Sequence, residues 1–218
     1  MDSLRTLQID EFKTKLKPAF DDIVKQLPTD KQSSINFDEI IVESYSRLQK
    51  MEVDIGVLEI TFETHPDVKD SACVIAVIKV IWDVLSIAFK LAGLPTKVSD
   101  SIIGKIVQDI NTTEMTVLEG LIEAFNDAGS NKDKAIFAVK FLKEIYDGIG
   151  AGAFLQAMLS SMSWVDWTIF GITALAQIVA WVGTDGAALV AELILLTAYL
   201  LTLTKDISTA QTACASNS

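Results

Sequence analysis

The only histidine, His65, is the first side chain to consider for chemistry, because imidazole serves both catalysis and metal binding. Glu63, Asp67 and Asp70 lie beside it in the stretch ETHPDVKD. One histidine without a cysteine pair is poor ligand spacing for zinc, and the spacing of a calcium loop is absent. We therefore interpret this stretch as a solvated loop at a helix boundary and expect no metal site.

No catalytic or cofactor motif accompanies His65. A Ser/His/Asp or Cys/His set would have to use this histidine, and the sequence has no G-x-S-x-G elbow. The glycines of GIGAGAF lack the preceding strand and the lysine that a phosphate-binding loop needs. We expect a protein that is not an enzyme and that carries no cofactor.

Composition predicts an all-α protein. Half of the 218 residues are hydrophobic, 22% are charged, and only four prolines and eleven glycines interrupt the chain. The net charge of −11, without a basic stripe, argues against nucleic acid as a partner. The charged N-terminal segment lacks the apolar region of a signal peptide, which predicts synthesis in the cytosol, with later release and membrane association left open.

The two cysteines are Cys73, in an apolar run, and Cys214, in a polar segment. Cytosolic synthesis implies a reducing compartment, so we expect two free thiols. A disulfide between them is the alternative, although two cysteines imply no disulfide framework.

Hydrophobic periodicity predicts a single helical domain over residues 1–208, a bundle of seven or eight helices, and a polar disordered tail at 209–218. Residues 1–147 read as amphipathic helices and 148–205 as an apolar region. The stretch 57–65 alternates and is a strand candidate, although a long helix over 36–61 is simpler. The helix over 68–91 is apolar except for a narrow stripe that includes Lys79 and Asp83, so we expect it in the middle of the bundle.

Several residues are expected to begin or interrupt helices. Pro18 is expected to kink or divide the first helix. Ser99 is a candidate cap for a short helix that ends near Ile110, and Thr112 or Thr113 for the next one. The glycines of GIGAGAF are predicted to form a hinge or helix break, and they are Gly148, Gly150 and Gly152.

The last third of the chain is nearly uncharged, because residues 148–204 contain three acidic residues and no basic one. Ser163 and Asp166 have capping spacing and predict a helix over 164–182. Thr184 or Asp185 is expected to cap a second helix over 186–204. The link between the two predicted helices, residues 183–186, is so short that it predicts an antiparallel helical hairpin. Eighteen helical residues span about 27 Å, near the thickness of a bilayer core.

The tryptophans and Glu192 of this hairpin have two interpretations each, and Tyr199 has one. Trp164, Trp167 and Trp181 are expected either at the rim of a core or at a membrane interface. Tyr199 is expected to satisfy its hydroxyl locally. Glu192, in the body of the last helix, is either a solvent-facing or internally hydrogen-bonded acid or a protonation switch, since burial disfavours the charged carboxylate.

The layout resembles the soluble form of α-helical pore-forming toxins, in particular the pore-forming domains of colicins. The matching stretch is TIFGITALAQIVAWVGTDGAALVAELILLTAYLLTLT. The resemblance lies in the architecture of the C-terminal third and includes no residue-level motif. It implies a soluble bundle that hides an apolar helical hairpin and later inserts it into a membrane.

Three functional hypotheses follow. The first is a toxin or defence effector that opens at Gly148–Gly152, inserts its hairpin into a lipid bilayer and oligomerises there. The second is a non-enzymatic binding or scaffold module whose apolar helices surround a hydrophobic ligand or form an oligomer interface. An integral membrane protein with a two-helix anchor is a third reading.

Overall fold

The structure is a computed structural model. It describes residues 7–27, 29–33, 35–50, 71–126, 129–183 and 186–215. The strand candidate at 57–65, the second half of the expected helix over 36–61, and His65 with its neighbours lie outside these residues. Within them the chain forms helices and no strand, which confirms the all-α prediction. The helices are α1 (Ile9–Gln26), α2 (Thr29–Gln32), α3 (Phe37–Lys50), α4 (Ala72–Leu91), α5 (Thr96–Asp109), α6 (Thr112–Glu123), α7 (Asn131–Ser161), α8 (Trp164–Asp166), α9 (Ile172–Gly183), α10 (Ala187–Ile194) and α11 (Thr197–Ala215).

The helix α4 lies in the middle of the bundle, as its composition predicts. Ser71 caps it, accepting a hydrogen bond from the amide of Val74 at 3.1 Å. Its apolar side chains are buried on nearly all sides, and α11, α5, α7 and α6 pack around it. A helix that is apolar around most of its circumference has no stable position in water except a core.

The longest helix, α7, joins the two sides of the bundle. It packs against α4, α5, α6, α9, α10 and α11. A capping box begins it, because Ser130 and Asp133 bind each other's backbone amides. Gly150 has φ 79° and ψ 152°, so α7 is two helices joined at a kink.

The N-terminal helix α1 covers α9. Pro18 lies inside α1 without ending it, so the expected division at this residue is not observed. The apolar stripe of Phe12, Leu16, Phe20 and Ile23 is buried, and its packing holds the helix together across the proline. The hydroxyl of Tyr45 in α3 donates to the backbone oxygen of Leu7 at 2.9 Å.

A π-helical segment, Trp167–Gly171, joins α8 to α9, so the chain is helical from Trp164 to Gly183. Gly171 permits this turn, because a Cβ there would collide with the indole of Trp167 and approach Met162 Sδ at 2.8 Å. The helix predicted over 164–182 is therefore present, with one widened turn, whereas the predicted hairpin is not confirmed.

The second arm of the hairpin is not the single helix expected over 186–204. The helix α10 ends at Ile194, where the amides of Leu195 and Leu196 close tight bonds to Glu192 and Leu193. The chain then turns, and α10 packs mainly on α7 while α11 packs mainly on α4. Burial of Leu200, Leu203 and Ile207 against the core accompanies this turn, and Leu195 at the break is 78% exposed.

The expected disordered tail is also wrong for residues 209–215, because α11 continues to Ala215. Ala210 and Cys214 are buried. The side-chain amide of Gln211 donates to the carbonyls of Ile122 and Phe125 at 2.8 and 2.9 Å, which also satisfies the end of α6.

Cys214 forms a disulfide with Cys73, 141 positions away, so the expectation of two free thiols is wrong in this structure. The bond fastens the last turn of α11 to the first turn of α4. The two cysteines meet because α11 runs antiparallel along α4, an arrangement that two cysteines at this separation do not reveal.

Two expected caps differ as well. The helix α5 begins at Thr96, so Ser99 lies inside it and donates its hydroxyl to the carbonyl of Pro95 at 3.2 Å. Asn111 caps α6 in a capping box with Glu114, in place of Thr112 or Thr113. Asparagine precedes both threonines, and its side chain already satisfies the first free amides.

Candidate functional site

The unusual chemical feature of the described residues is a buried group of charges between α4 and α11. It consists of Lys79, Asp83 and Asp206, here called the Asp83–Asp206 cluster. Asp83 is 2% exposed and Asp206 5% exposed. Lys79 Nζ lies 2.8 Å from Asp206 Oδ1, and its side chain is 42% exposed, so its ammonium reaches the rim of the interface.

Asp83 is held largely in its protonated form. Burial, followed by hydrogen bonding to Asp206 and the negative charge of Asp206, raises the pKa of Asp83 to about 8, against the opposing charge of Lys79. Its Oδ2 is buried without a hydrogen-bond partner among the described residues, which further disfavours the ionised form. At neutral pH the cluster therefore holds one proton, one carboxylate and one ammonium, and its net charge is zero.

Tyr199 closes the apolar side of this cluster. Its hydroxyl donates to the backbone oxygen of Asp83 at 3.1 Å, 116 positions away on α4, so its partner lies across the helix interface and is not the local one expected. Burial, and then the charge of Asp83, raise the pKa of Tyr199 well above its usual value, so it stays a neutral donor. Together with the disulfide, this bond ties α11 to α4 at two separate points.

This arrangement can exchange a proton between its two carboxyl groups. The described residues contain no group of three or more His, Cys, Asp or Glu side chains that could hold a metal ion. Lys79 occupies the accessible side of the two carboxyl groups and pairs with one of them. The cluster therefore acts on the stability of the α4–α11 interface as a function of pH.

The helix that carries Lys79 and Asp83 is also the one helix of the described residues with the length and composition to cross a membrane. It has 20 residues, and its most apolar 18-residue window has mean hydropathy 2.2 and is 72% buried. The expectation that residues 186–204 form such a helix is wrong, since that segment is divided between α10 and α11. A core helix of a soluble protein has the same length and composition.

The three tryptophans of the expected hairpin differ in environment. Trp167 and Trp181 are each 1% exposed and belong to the core. Their indole N–H groups have no hydrogen-bond partner among the described residues. Trp164 is half-buried and packs at the edge of the core. The rim interpretation therefore fits Trp164, whereas Trp167 and Trp181 lie deeper.

The predicted cap of the first arm is confirmed. Ser163 Oγ accepts from the amide of Asp166 at 3.1 Å, and its hydroxyl donates to the Asp166 carboxylate at 2.7 Å. Thr184 and Asp185 lie outside the described residues. Gly186 follows them with φ 68°, and a Cβ there would collide with Val139 of α7, so this turn approaches α7 as only glycine permits.

The predicted glycine break is confirmed at one residue. Gly150 alone of the three leaves helical geometry, whereas Gly148 and Gly152 are helical. Glu192 is 4% exposed, so the solvent-facing interpretation of this residue is wrong. Its role as a protonation switch stays a prediction.

Sequence reasoning missed the partner of Lys79. Lys79 and Asp83 share the narrow stripe of α4 at i,i+4 spacing, but Lys79 pairs with Asp206, 127 positions away. Asp206 follows the apolar stretch 187–204, and its local sequence is typical of a polar chain end. Its position one residue before Ile207, on the face that continues Leu203 and Tyr199, is the signal that indicates burial.

Comparisons with known proteins found no relative of this chain. Searches of the chain against protein-family models, curated proteins and solved structures found no match. The fold and the Asp83–Asp206 cluster define an all-α protein with an apolar central helix.

Proposed function

We propose that this protein permeabilises lipid bilayers, as a toxin or defence effector that folds in water and then releases an apolar core helix into a membrane. The observation that carries the proposal is α4, which is long and apolar enough to span a bilayer yet lies inside the bundle. The lipid bilayer is the partner, and the protein oligomerises there to complete a pore. No cofactor takes part.

The Asp83–Asp206 cluster is compatible with α4 both in the folded bundle and in a bilayer. A charged side chain at bilayer depth is costly, by about 2.5–3.5 kcal/mol on insertion scales. Because Asp83 is protonated below about pH 8, and Lys79 is paired with Asp206, the cluster has no net charge. If α4 and α11 move together, the neutral cluster moves with them.

The disulfide favours such a joint movement. Cys73 and Cys214 keep the start of α4 beside the end of α11. The side of α11 that faces away from α4 carries the exposed hydroxyls of Thr202, Ser208, Thr209 and Thr212. An apolar helix paired with a helix of this kind presents one side to lipid and one to water, as the wall of a pore requires.

Opening of the bundle is expected at Gly150. The kink divides α7 into two parts. In the first part, Val139 lies against Gly186 at the start of α10 and Gly148 lies against Glu114 of α6, and the second part continues toward α8. Gly150 has φ 79°, a backbone conformation outside the helical range that glycine adopts without a steric penalty, so a change of direction at this residue needs no strained side chain.

Dye release from liposomes tests the proposal. The oxidised protein is added to vesicles of neutral or anionic lipid at pH 5, 7 and 9. We expect release that increases as the pH falls, because the protein carries a net charge of −11 at pH 7 and repels anionic lipid less in acid. Absence of release at every pH from both lipids, with helical circular dichroism intact, would refute it.

Two matched variants show whether α4 is involved. Ile75 in α4 and Val117 in α6 are 46% and 47% exposed, so an aspartate at either position is hydrated in the folded bundle. Ile75→Asp adds a charge to the helix that enters the bilayer and should reduce release several-fold. Val117→Asp should release dye like the wild type. Equal release by both variants would mean that α4 stays outside the membrane.

The binding-module hypothesis has one observation in its favour, a surface groove beside α7 that is described below. It predicts a protein that binds an amphiphile without causing leakage. The dye-release experiment separates these two functions, because a binding module leaves vesicles intact at every pH.

A further inference from the structure

We infer that the groove along the outer side of α7 is a binding site for a single-chain anionic amphiphile, such as a monomeric fatty carboxylate. The inference is independent of the proposed membrane activity. It concerns two adjoining concavities that share Leu121, Ile136 and Lys140 and therefore form one groove.

The first concavity lies where the end of α9 and the start of α10 meet α7 and α6. Its volume is about 360 Å³, within the range of roughly 300–1,000 Å³ typical of small-molecule sites. Its walls are the apolar side chains of Ile136, Val139, Val182 and Val190. Gly186 forms one wall against Val139, and a Cβ there would fill the contact.

The second concavity continues between the end of α6 and the start of α7. Its volume is about 470 Å³, and Phe125 and Phe137 contribute aromatic surface. These rings pack edge to face, with centroids 4.7 Å apart. The polar residue Asp133 at this end is engaged by Ser130, which donates to it from its amide and its hydroxyl, both at 2.8 Å.

Charge identifies the head group. Lys140 is exposed at the junction of the two concavities, and no acidic residue of the described chain forms an ion pair with it. Lys143 lines the first concavity and pairs with Asp147 at 3.4 Å. Glu144, one helical turn beyond Lys140, is the one acid in the lining of the first concavity, where Lys140 and Lys143 outnumber it. An anionic head is therefore favoured beside Lys140.

The occupant follows from shape and charge together. An apolar trough of this size accommodates one hydrocarbon chain, and the ammonium of Lys140 is placed to neutralise one carboxylate beside it. A cationic amphiphile would place its charge against the same ammonium, so the groove distinguishes the two signs.

Isothermal titration with dodecanoate and with dodecyltrimethylammonium, both below their micelle-forming concentrations, tests this inference. We expect saturable binding of dodecanoate with one molecule per chain, and no saturable binding of the cationic amphiphile. Lys140→Glu should weaken dodecanoate binding about tenfold or more, because it reverses the charge beside the head group. Lys132→Glu, on an exposed position of the same helix outside the groove, should leave the affinity within about twofold.

Equal binding of both amphiphiles, or no binding of dodecanoate, would overturn the inference, as would equal affinities of the two glutamate variants. Ile136→Trp adds a second test, since its indole should fill the trough and abolish binding by a folded protein. Should that variant unfold, the Lys140→Glu comparison decides. Vesicle leakage plays no part in these measurements, so their failure leaves the proposed function untouched, and the reverse is also true.

Discussion

Lys79 of α4 and Asp206 of α11 form an ion pair in which Nζ lies 2.8 Å from Oδ1. The two residues are 127 positions apart in the chain, so the pair connects two helices distant in sequence. The carboxyl of Asp83 lies next to this pair and keeps its proton to about pH 8. Asp206 is buried and the Lys79 ammonium lies at the rim of the interface. The contribution of this group to the free energy of unfolding can therefore be measured with variants of its residues.

Removing the acid alone should destabilise the bundle. Asp206→Leu leaves Lys79 without its carboxylate, and we expect a loss of about 1–3 kcal/mol in the free energy of unfolding. The loss is limited because the Lys79 side chain is 42% exposed and can turn to water. The double variant with Lys79→Met should recover most of it. Urea denaturation measures both, and an unchanged stability in Asp206→Leu would contradict the role given to the pair.

The protonation of Asp83 predicts a pH dependence of stability. Because its pKa is raised in the folded protein from 3.8 to about 8, the folded state binds a proton that the unfolded state has lost. The contribution of the Asp83 proton to the free energy of unfolding is therefore fully present below about pH 4. It is lost as the pH rises to about 8, by up to roughly 1.4 kcal/mol per pH unit.

Asp83→Asn isolates this contribution, because an amide resembles the protonated carboxyl and does not titrate. We expect the variant to remain folded and to lose less stability than the wild type between pH 5 and 9. Asp109→Asn, an exposed position in α5, serves as the control and should follow the wild type. Parallel curves for wild type and Asp83→Asn would mean that Asp83 is ionised throughout this range.

The disulfide should contribute to stability through the long loop that it closes. It joins residues 141 positions apart, and a bond of this kind stabilises a protein by about 2–4 kcal/mol. We expect dithiothreitol to lower the melting temperature of the wild type and to leave that of the double variant Cys73→Ala with Cys214→Ala unchanged. The free thiols counted after denaturation without reductant should be zero, and two would show that the bond is absent.

The kink in α7 predicts opposite effects at two neighbouring glycines. Gly150 has φ 79°, a conformation that alanine adopts at a cost, so Gly150→Ala should destabilise the protein by about 1–2 kcal/mol. Gly152 is helical with no atom within 4 Å of its Cβ position. Gly152→Ala should stabilise by about 0.5–1 kcal/mol. Thermal unfolding of both variants measures this difference, and equal shifts would contradict a kink at Gly150.

Local sequence signals identified the helices and several of their ends. The apolar periodicity predicted α1, α4 and the first part of α7, and the Ser163–Asp166 spacing predicted the start of α8. These features depend on residues within one or two turns of each other. The glycine break was confirmed at Gly150 and not at its neighbours, because composition does not show which glycine has positive φ.

Long-range pairing was what the sequence did not reveal. The break at Leu195 and Leu196 arises because α10 and α11 pack on different helices, and no proline or glycine marks it. Asp206 and Cys214 read as polar end residues, although both are buried against α4. Their burial depends on the antiparallel course of α11 along α4, which is a tertiary property and leaves no local pattern.

The position of α4 in vesicles tests the central claim most directly. Trp82, half-buried near the middle of α4, is replaced by cysteine and labelled with an environment-sensitive fluorophore while the Cys73–Cys214 bond stays oxidised. The same label at Val117→Cys in α6 is the control, because that residue is exposed on the surface of the bundle. With vesicles that carry a quencher at the bilayer centre, we predict quenching at position 82 that rises together with dye release, and little quenching at 117. Dye release without quenching at position 82 would contradict the claim that α4 enters the membrane.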